Sequence, residues 1–446
     1  MDTVPRMSTS HNDPNRPTLR IHGGRPIVGT VQSVGAKNAA TKMLIATLLS
    51  PEPSTLVNVP LLGDTDVTAE LIVALGGTVE RTGNRWTIST PTFTTTDVPP
   101  LSRKNRIPIL ALGPLLARAG TAAVPVLGGD AIGPRPVNYH VAALRQMGVV
   151  FESTATHYRA STKELHGATI ALPFPSVGAT ENIVLTAVMA KGRTIIRNAA
   201  VEPEIVNLIQ MLQNMGAVIE LGTNRTIYIE GVEQLHGTTA TIMPDRNEAV
   251  SFASLALATG GEILVRGARQ EDVMTFLNTL RKIGADYAVT EEGIRFRGTP
   301  PYRPVKLETD THPGFMTDWQ QPFMTVLTQA QGRSVIHETV YEDRFGYTTT
   351  LVAMGAQIET STDCWGELPC RSWDQGFVHS AAVTGVTKLH GAAVTVPDIR
   401  AGMSYLIAAL TANGVTELTG LDHLERGYER LIERVGGLGA DIQLQS

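Results

Sequence analysis

Apolar positions recur along the chain in six similar waves. Each wave opens with a helical run: AKNAATKMLIATLL from Ala36, RIPILALGPLLARAG from Arg106, SVGATENIVLTAVMAKG from Ser176, DRNEAVSFASLALATGG from Asp245, TDWQQPFMTVLTQAQG from Thr317 and DIRAGMSYLIAALTANG from Asp398. The spacing of their apolar residues predicts amphipathic helices. In five of them a glycine, at 120, 192, 260, 332 or 414, stands where it would end the helix. Short β-leaning runs such as TIIRNAA and EILVRGA follow as strands. A second helix comes next, clearest in EPEIVNLIQMLQNMGA and QEDVMTFLNTLRKIGA. Gly76, Gly148, Gly216, Gly284, Gly355 and Gly439 then lead into further strands at near-constant intervals, the last one stretched by the segment near 360–376. Six copies of helix, strand, helix and strands predict an α/β protein built from repeats.

Polar residues repeat with the same period and crowd the front of each first helix. They are Lys37 and Asn38; Arg103, Lys104 and Arg106; Thr180 and Glu181; Asp245, Arg246 and Glu248; Thr317 and Asp318; Asp398 and Arg400. Any one group could be ordinary capping of free N–H groups. Six helix starts gathered around one cleft, together with Lys37, Arg106, Arg135, Arg400 and Arg426, would instead hold a highly anionic ligand. The carboxylates beside these cations suit acid–base chemistry. A second candidate is the loop GGDAIGPRPVNYH, residues 128–140. Its glycines free the backbone, Asp130 carries one carboxylate, and Arg135 and Pro136 precede a helix expected from Val137.

Composition narrows the classes. The 446 residues, 42% of them hydrophobic, suffice for two domains. A net charge of −5 offers no general attraction to nucleic acid, so phosphate must be met by local cations. Residues 1–17 are polar and proline-punctuated, with no apolar run of the kind a secretory signal needs, and no later run is long enough to span a bilayer. A cytoplasmic protein without nucleic-acid or membrane partners, a monomer or weak homo-oligomer, is expected. The only cysteines are Cys364 and Cys370. Two thiols alone close no zinc site, so free thiols and no metal are expected.

The motifs VGAKNAA (34–40), LGPLLARAG (112–120), GGDAIGPRPV (128–137), PSVGATENI (175–183), NAAVEPEIV (198–206), PDR (244–246), HPGFMTD (312–318), ETVYEDRF (338–345), PDIRAG (397–402) and RGYER (426–430) closely resemble the UDP-N-acetylglucosamine enolpyruvyl (1-carboxyvinyl) transferases. These are relatives of the enolpyruvyl shikimate phosphate synthases. The resemblance implies a two-domain inside-out α/β barrel of six βαβαββ-type repeats, three per domain. Residues 1–17 would be a disordered tail, 18–35 with 245–446 one domain, and 36–244 the other, carrying a mobile loop at 124–136. It also implies the reaction: the enolpyruvyl group of phosphoenolpyruvate passes to the 3-hydroxyl of UDP-N-acetylglucosamine with release of phosphate, by addition and elimination, without metal or organic cofactor.

Residue by residue, the resemblance places Lys37, Arg106, Arg135 and Arg426 on phosphoenolpyruvate, with Arg400 nearby, and makes Asp318 the base for the attacking hydroxyl. Asn38 and Asp398 match polar groups around the reacting centre, and Glu202 a further acid. Ser176, Val177 and Gly178 match the diphosphate contact, Val340 the acetamido-sugar contact, and Arg135, Pro136, Val137, Asn138, Tyr139 and His140 the uridine pocket. Three positions depart from the family pattern. Asp130 stands where members usually carry a cysteine, the thiol attacked by fosfomycin, so Asp130 would take over proton transfer at C3. Asn138 replaces the usual Asp, and Phe174 replaces a basic residue that some members place before the Ser-Val-Gly turn. The last two keep open a paralogue that acts on the ribose hydroxyl of UMP in nucleoside antibiotic synthesis.

Overall fold

The computed structural model describes residues 17–103, 105–126, 137–368 and 370–445. Its buried apolar side chains fall into two clusters. One is built from Leu19 to Val31 and from Ala249 to Leu438, the other from Ala36 to Met243. Each cluster has three of the predicted first helices at its middle. In the first, Arg246–Thr259, Thr317–Leu327 and Ile399–Thr411 pack on one another. In the second, Lys37–Ala46, Val177–Ala187 and the 3-10 turn Ile107–Ala111, which runs into Leu112–Ala119, take the same place. The amphipathic expectation fails for these central helices. Residues 246–258 are all buried, as are 179–187, because each helix is wrapped on every side by its sisters and by the outer sheets.

Gly120 and Gly260 cap their helices in the left-handed conformation, with φ of 71° and 68°. The other three predicted stops fall late. The helices end at Ala187, Leu327 and Thr411, and Gly192, Gly332 and Gly414 instead turn the chain into the next strand. The second helices include Pro203–Asn214 and Met274–Ile283, as their apolar stripes predict.

Among the described residues, six small sheets form the outside. Five have four strands and one has three. In the clearest, Thr169–Ala171 runs parallel to Arg193–Arg197, which pairs antiparallel with Ile227–Glu230 and through it with Val218–Leu221. The amino-terminal strand Thr18–His22 closes the sixth repeat, lying between Val415–Thr419 and Asp441–Gln445. Strand Val28–Gln32 joins the fourth repeat beside Glu262–Arg266. Strand Thr239–Thr241 returns to the first repeat beside Ser54–Val57.

The chain therefore crosses between lobes twice, and the two crossings run side by side. Ala36 N–H donates to the Met243 carbonyl at 2.7 Å, and Asp245 N–H to the Val34 carbonyl at 2.8 Å. Gly35 is required here: a Cβ at this position would sit 1.9 Å from the Asn58 carbonyl oxygen. Asp245 caps its own helix through Asn247 N–H and also accepts from Lys37 N–H at 3.3 Å, tying the start of one lobe's helix to the other lobe's.

Candidate active site

The starts of all six first helices contribute side chains to one cavity of about 410 Å³. Lys37 and Asn38, Arg106, Ser176 to Gly178, Arg246, Thr317 with Asp318, and Asp398 all line it. The partial positive charge of these helix starts therefore faces the cavity from several directions.

Asp64 organises one wall. It lies in the first turn of helix Gly63–Ala74 and receives Lys37 Nζ at 2.8 Å and Arg426 Nη2 at 3.4 Å. Burial by itself would raise the Asp64 carboxyl, but Lys37 and Arg426 outweigh burial and hold it below the usual carboxylate range. Lys37 comes from the first of the six helix starts and Arg426 from the RGYER motif near the end of the sequence, so this carboxylate holds together two cations distant in sequence.

Asp318 stands in the first turn of helix Thr317–Leu327. The buried guanidinium of Arg344 donates to its Oδ1 at 2.6 Å, which orients the carboxylate while leaving it on the cavity lining. Beside it, buried Glu338 accepts from Thr317 Oγ1 at 2.8 Å and from the N–H groups of Val340 and Tyr341 at 2.9 and 3.1 Å. This holds the ETVYEDRF turn, and with it Val340, against the helix start. Trp319 packs inward, donating to Asn247 Oδ1 at 3.0 Å among Phe276, Phe315 and Phe323.

The floor is acidic and buried. Glu204 pairs in bidentate fashion with Arg246 at 2.9 Å on both oxygens. Burial raises Glu202 above the ordinary range, and it pushes Glu181 up to about 7 against the opposing charge of Lys42. On the far wall, His140 Nδ1 accepts from Asn182 Nδ2 at 3.0 Å. Burial, and then the charge of Arg106, push His140 down to about 4, so it is neutral at pH 7. Gly178 lets the Ser176-capped helix approach that ring: a Cβ there would lie 3.3 Å from His140 Cε1.

The family model of EPSP synthase (3-phosphoshikimate 1-carboxyvinyltransferase) matches residues 21–435. The chain belongs to the enolpyruvyl transferase family. It is 45% identical over 436 residues to a UDP-N-acetylglucosamine 1-carboxyvinyltransferase of Protochlamydia amoebophila, covering 96% of this chain and 94% of the relative. A protein of the same description from Chlamydia pneumoniae is 46% identical over 432 residues, covering 95% of this chain and 94% of that one. The fold matches the crystal structure of the enolpyruvyl transferase NikO from Streptomyces tendae with a TM-score of 0.84 at 24% identity, covering 97% and 99% of the two chains.

In this enolpyruvyl transferase the structure gathers Lys37, Asn38, Arg106, Asn138, Tyr139, His140, Ser176, Val177, Gly178, Glu202, Asp318, Val340, Asp398 and Arg426 on one cavity. Val137 is an exception. It is the residue before helix Asn138–Gln146 and packs against the apolar core instead of lining the cavity. Asp130, Arg135 and Pro136 lie outside the described residues, as do Lys104 and residues 1–16, and so does the side chain of Arg400. Val124 and Pro125, which the expected loop at 124–136 included, belong to strand Thr121–Pro125, and its residues 127–136 lie outside the described residues.

Among the charged residues on the cavity, Asp64, Arg344, Arg371 and Glu204 carry no role in the sequence reading. Arg344 stands inside a recognised motif, yet its partner is visible only once Asp318 is brought beside it. Arg371 comes from the long segment near 360–376 and reaches the cavity edge, with its guanidinium 4.3 Å from the ring of Phe174. It places a cation over Phe174, in the turn before Ser176.

Proposed function

We propose that this enzyme transfers the enolpyruvyl group of phosphoenolpyruvate to the 3-hydroxyl of UDP-N-acetylglucosamine and releases phosphate, the first committed step of peptidoglycan precursor synthesis. One juxtaposition carries the reading: Lys37 and Arg426, held by Asp64, open on the same cavity as Asp318, held by Arg344. The cations, with Arg106, Arg135 and Arg400, take the phosphate and carboxylate of phosphoenolpyruvate. Asp318 accepts the hydroxyl proton as the oxygen bonds to C2, and the C2–C3 electron pair takes a proton at C3. Asp130, in place of the family's usual cysteine, supplies that proton. In the second half the C2–O bond to phosphate breaks, C3 gives up a proton, and the double bond is restored on the new ether. No metal or cofactor enters these steps.

The acceptor assignment is supported by the 45% and 46% identity to relatives described as UDP-N-acetylglucosamine 1-carboxyvinyltransferases. The Ser176 to Gly178 helix start and Arg371 suit the diphosphate, Val340 the acetamido sugar, and Asn138 to His140, with Arg135 and Pro136, the uridine. We take the paired crossings near 36 and 244 as the lobe boundaries, and a cytoplasmic monomer or weak homo-oligomer as the working form. Among the described residues no helix is long and apolar enough to cross a membrane. Asn138 and Phe174 favour a second reading in which UMP is the acceptor. Phosphate release is followed with phosphoenolpyruvate and either nucleotide. Release with UDP-N-acetylglucosamine is expected, release with UMP alone would transfer the assignment to the second reading, and release with neither would refute both.

A further inference from the structure

The segment between strands Gln357–Ser361 and Ser380–Gly385 carries both cysteines of the chain and folds back over the end of strand Gly332–His337. There Cys364, Cys370, His337 and His379 bring four ligand atoms within 4.8 Å of one another. His379 Nε2 lies 3.1 Å from Cys364 Sγ. Both imidazoles are fully buried.

The hydrogen bonds fix which nitrogen of each ring is bare. His379 Nδ1 lies 2.7 Å from the Phe377 carbonyl oxygen, which can only accept, so Nδ1 carries the proton and Nε2 presents a lone pair to Cys364. His337 Nδ1 lies 2.9 Å from Ser380 Oγ. That hydroxyl gives its own proton to the Asp363 carbonyl at 2.6 Å, so it accepts from His337, and His337 Nε2 is likewise bare. This nitrogen is buried with no hydrogen-bond partner among the described residues. A buried acceptor of this kind is costly unless something fills it.

We propose that Cys364, Cys370, His337 and His379 bind one Zn²⁺ ion in a closed tetrahedral site that pins the inserted segment to the sheet. Two thiolates and two imidazoles are the donor set of structural zinc, and four protein ligands leave no position open for catalysis. Bonds of about 2.3 Å to sulfur and about 2.0 Å to nitrogen place tetrahedral ligand atoms roughly 3.3–3.8 Å apart. The present spread needs a contraction of about 1 Å to reach this. The Phe377 carbonyl and Ser380 hydroxyl are the outer contacts that orient ligating histidines. On binding, each cysteine gives its proton to solvent and its sulfur lone pair to the ion, so affinity rises with pH. Arg371 follows Cys370 directly, and its Nη1 donates to the Val340 carbonyl at 3.1 Å. The ion therefore also steadies the cation that lies over Phe174 at the cavity edge.

The test uses the full chain purified under reducing conditions, with any affinity tag removed and no chelator present, and reads metal directly. About one zinc per chain is expected by elemental mass spectrometry. Replacement by Co²⁺ should give thiolate-to-cobalt charge-transfer absorption and strong tetrahedral d–d bands. Cys370→Ser, on the inserted segment, should lower zinc content at least about tenfold while leaving the far-UV circular dichroism unchanged. Cobalt spectra of the unaltered chain test the site even if that variant misfolds. Two freely titrating thiols with no bound zinc, a Cys364–Cys370 disulfide, a six-coordinate cobalt spectrum, or zinc retained in Cys370→Ser would each overturn the proposal. None of these readouts depends on the acceptor.

Discussion

Replacing Glu181 by Gln should change how the enzyme's stability depends on pH. Glu181 is 2% exposed, and its Oε1 lies 3.9 Å from Lys42 Nζ. Burial, opposed by Lys42 and helped by Glu204 and Glu202, carries the carboxyl from an ordinary 4.5 up to about 7. The folded chain therefore keeps a proton that the unfolded chain releases between those values. Unfolding then binds fewer protons than folding, so stability falls as pH rises through that window and the loss is complete above pH 7. At 1.36 kcal/mol per pH unit the loss approaches roughly 3 kcal/mol, and full burial leaves little solvent to screen it. Gln has nearly the same shape and cannot ionise. Urea midpoints at pH 5 and pH 8 read the effect. The variant should lie within about 1 kcal/mol of the parent at pH 5 and exceed it by up to roughly 3 kcal/mol at pH 8. Equal pH dependence in both proteins, or a variant weaker at pH 8, would refute the reasoning.

Arg344→Met should lower kcat/KM by about 100-fold or more, because Asp318 loses the buried donor 2.6 Å from its Oδ1. Lys at the same position should restore only part of this, since it lacks the planar fork, and unchanged turnover in the Met variant would separate Arg344 from catalysis. Gly35→Ala should destabilise the enzyme by more than about 3 kcal/mol, since its Cβ would meet the Asn58 carbonyl oxygen at 1.9 Å; an unmoved urea midpoint would contradict the packing at the crossing. Asp130→Ala should nearly abolish turnover while Asp130→Cys keeps it, and fosfomycin should leave the native protein uninhibited; covalent labelling at position 130 of the native chain would refute the assignment.

Much of this architecture is local in sequence. Each first helix carries its apolar run and its polar front within one short stretch, so Lys37, Arg106, Ser176, Asp318 and Asp398 could be read as helix starts before any coordinates. Their convergence on one cavity was an inference from repetition, and the packing of three buried helices per cluster supplies its cause. That same packing hid the true helix character, because a helix wrapped on all sides loses the polar stripe that marks an amphipathic one. Asp64 and Arg344 were illegible for a different reason. Each acquires meaning only from a partner distant in sequence, Asp64 from Lys37 and Arg426, and Arg344 from Asp318. In the sequence two thiols alone close no zinc site, and only the folded sheet brings His337 and His379 beside them.

The central claim is that this cleft moves an enolpyruvyl group by addition at C2 followed by loss of phosphate. It is tested most directly with phosphoenolpyruvate carrying ¹⁸O in the oxygen that bridges C2 and phosphorus. Incubated with UDP-N-acetylglucosamine, the enzyme should break the C2–O bond, so the label should leave with the released phosphate, and only when the acceptor is present. Label retained on the carbon product would mean cleavage at phosphorus, and phosphate released at the same rate without an acceptor would mean hydrolysis; either would contradict the account.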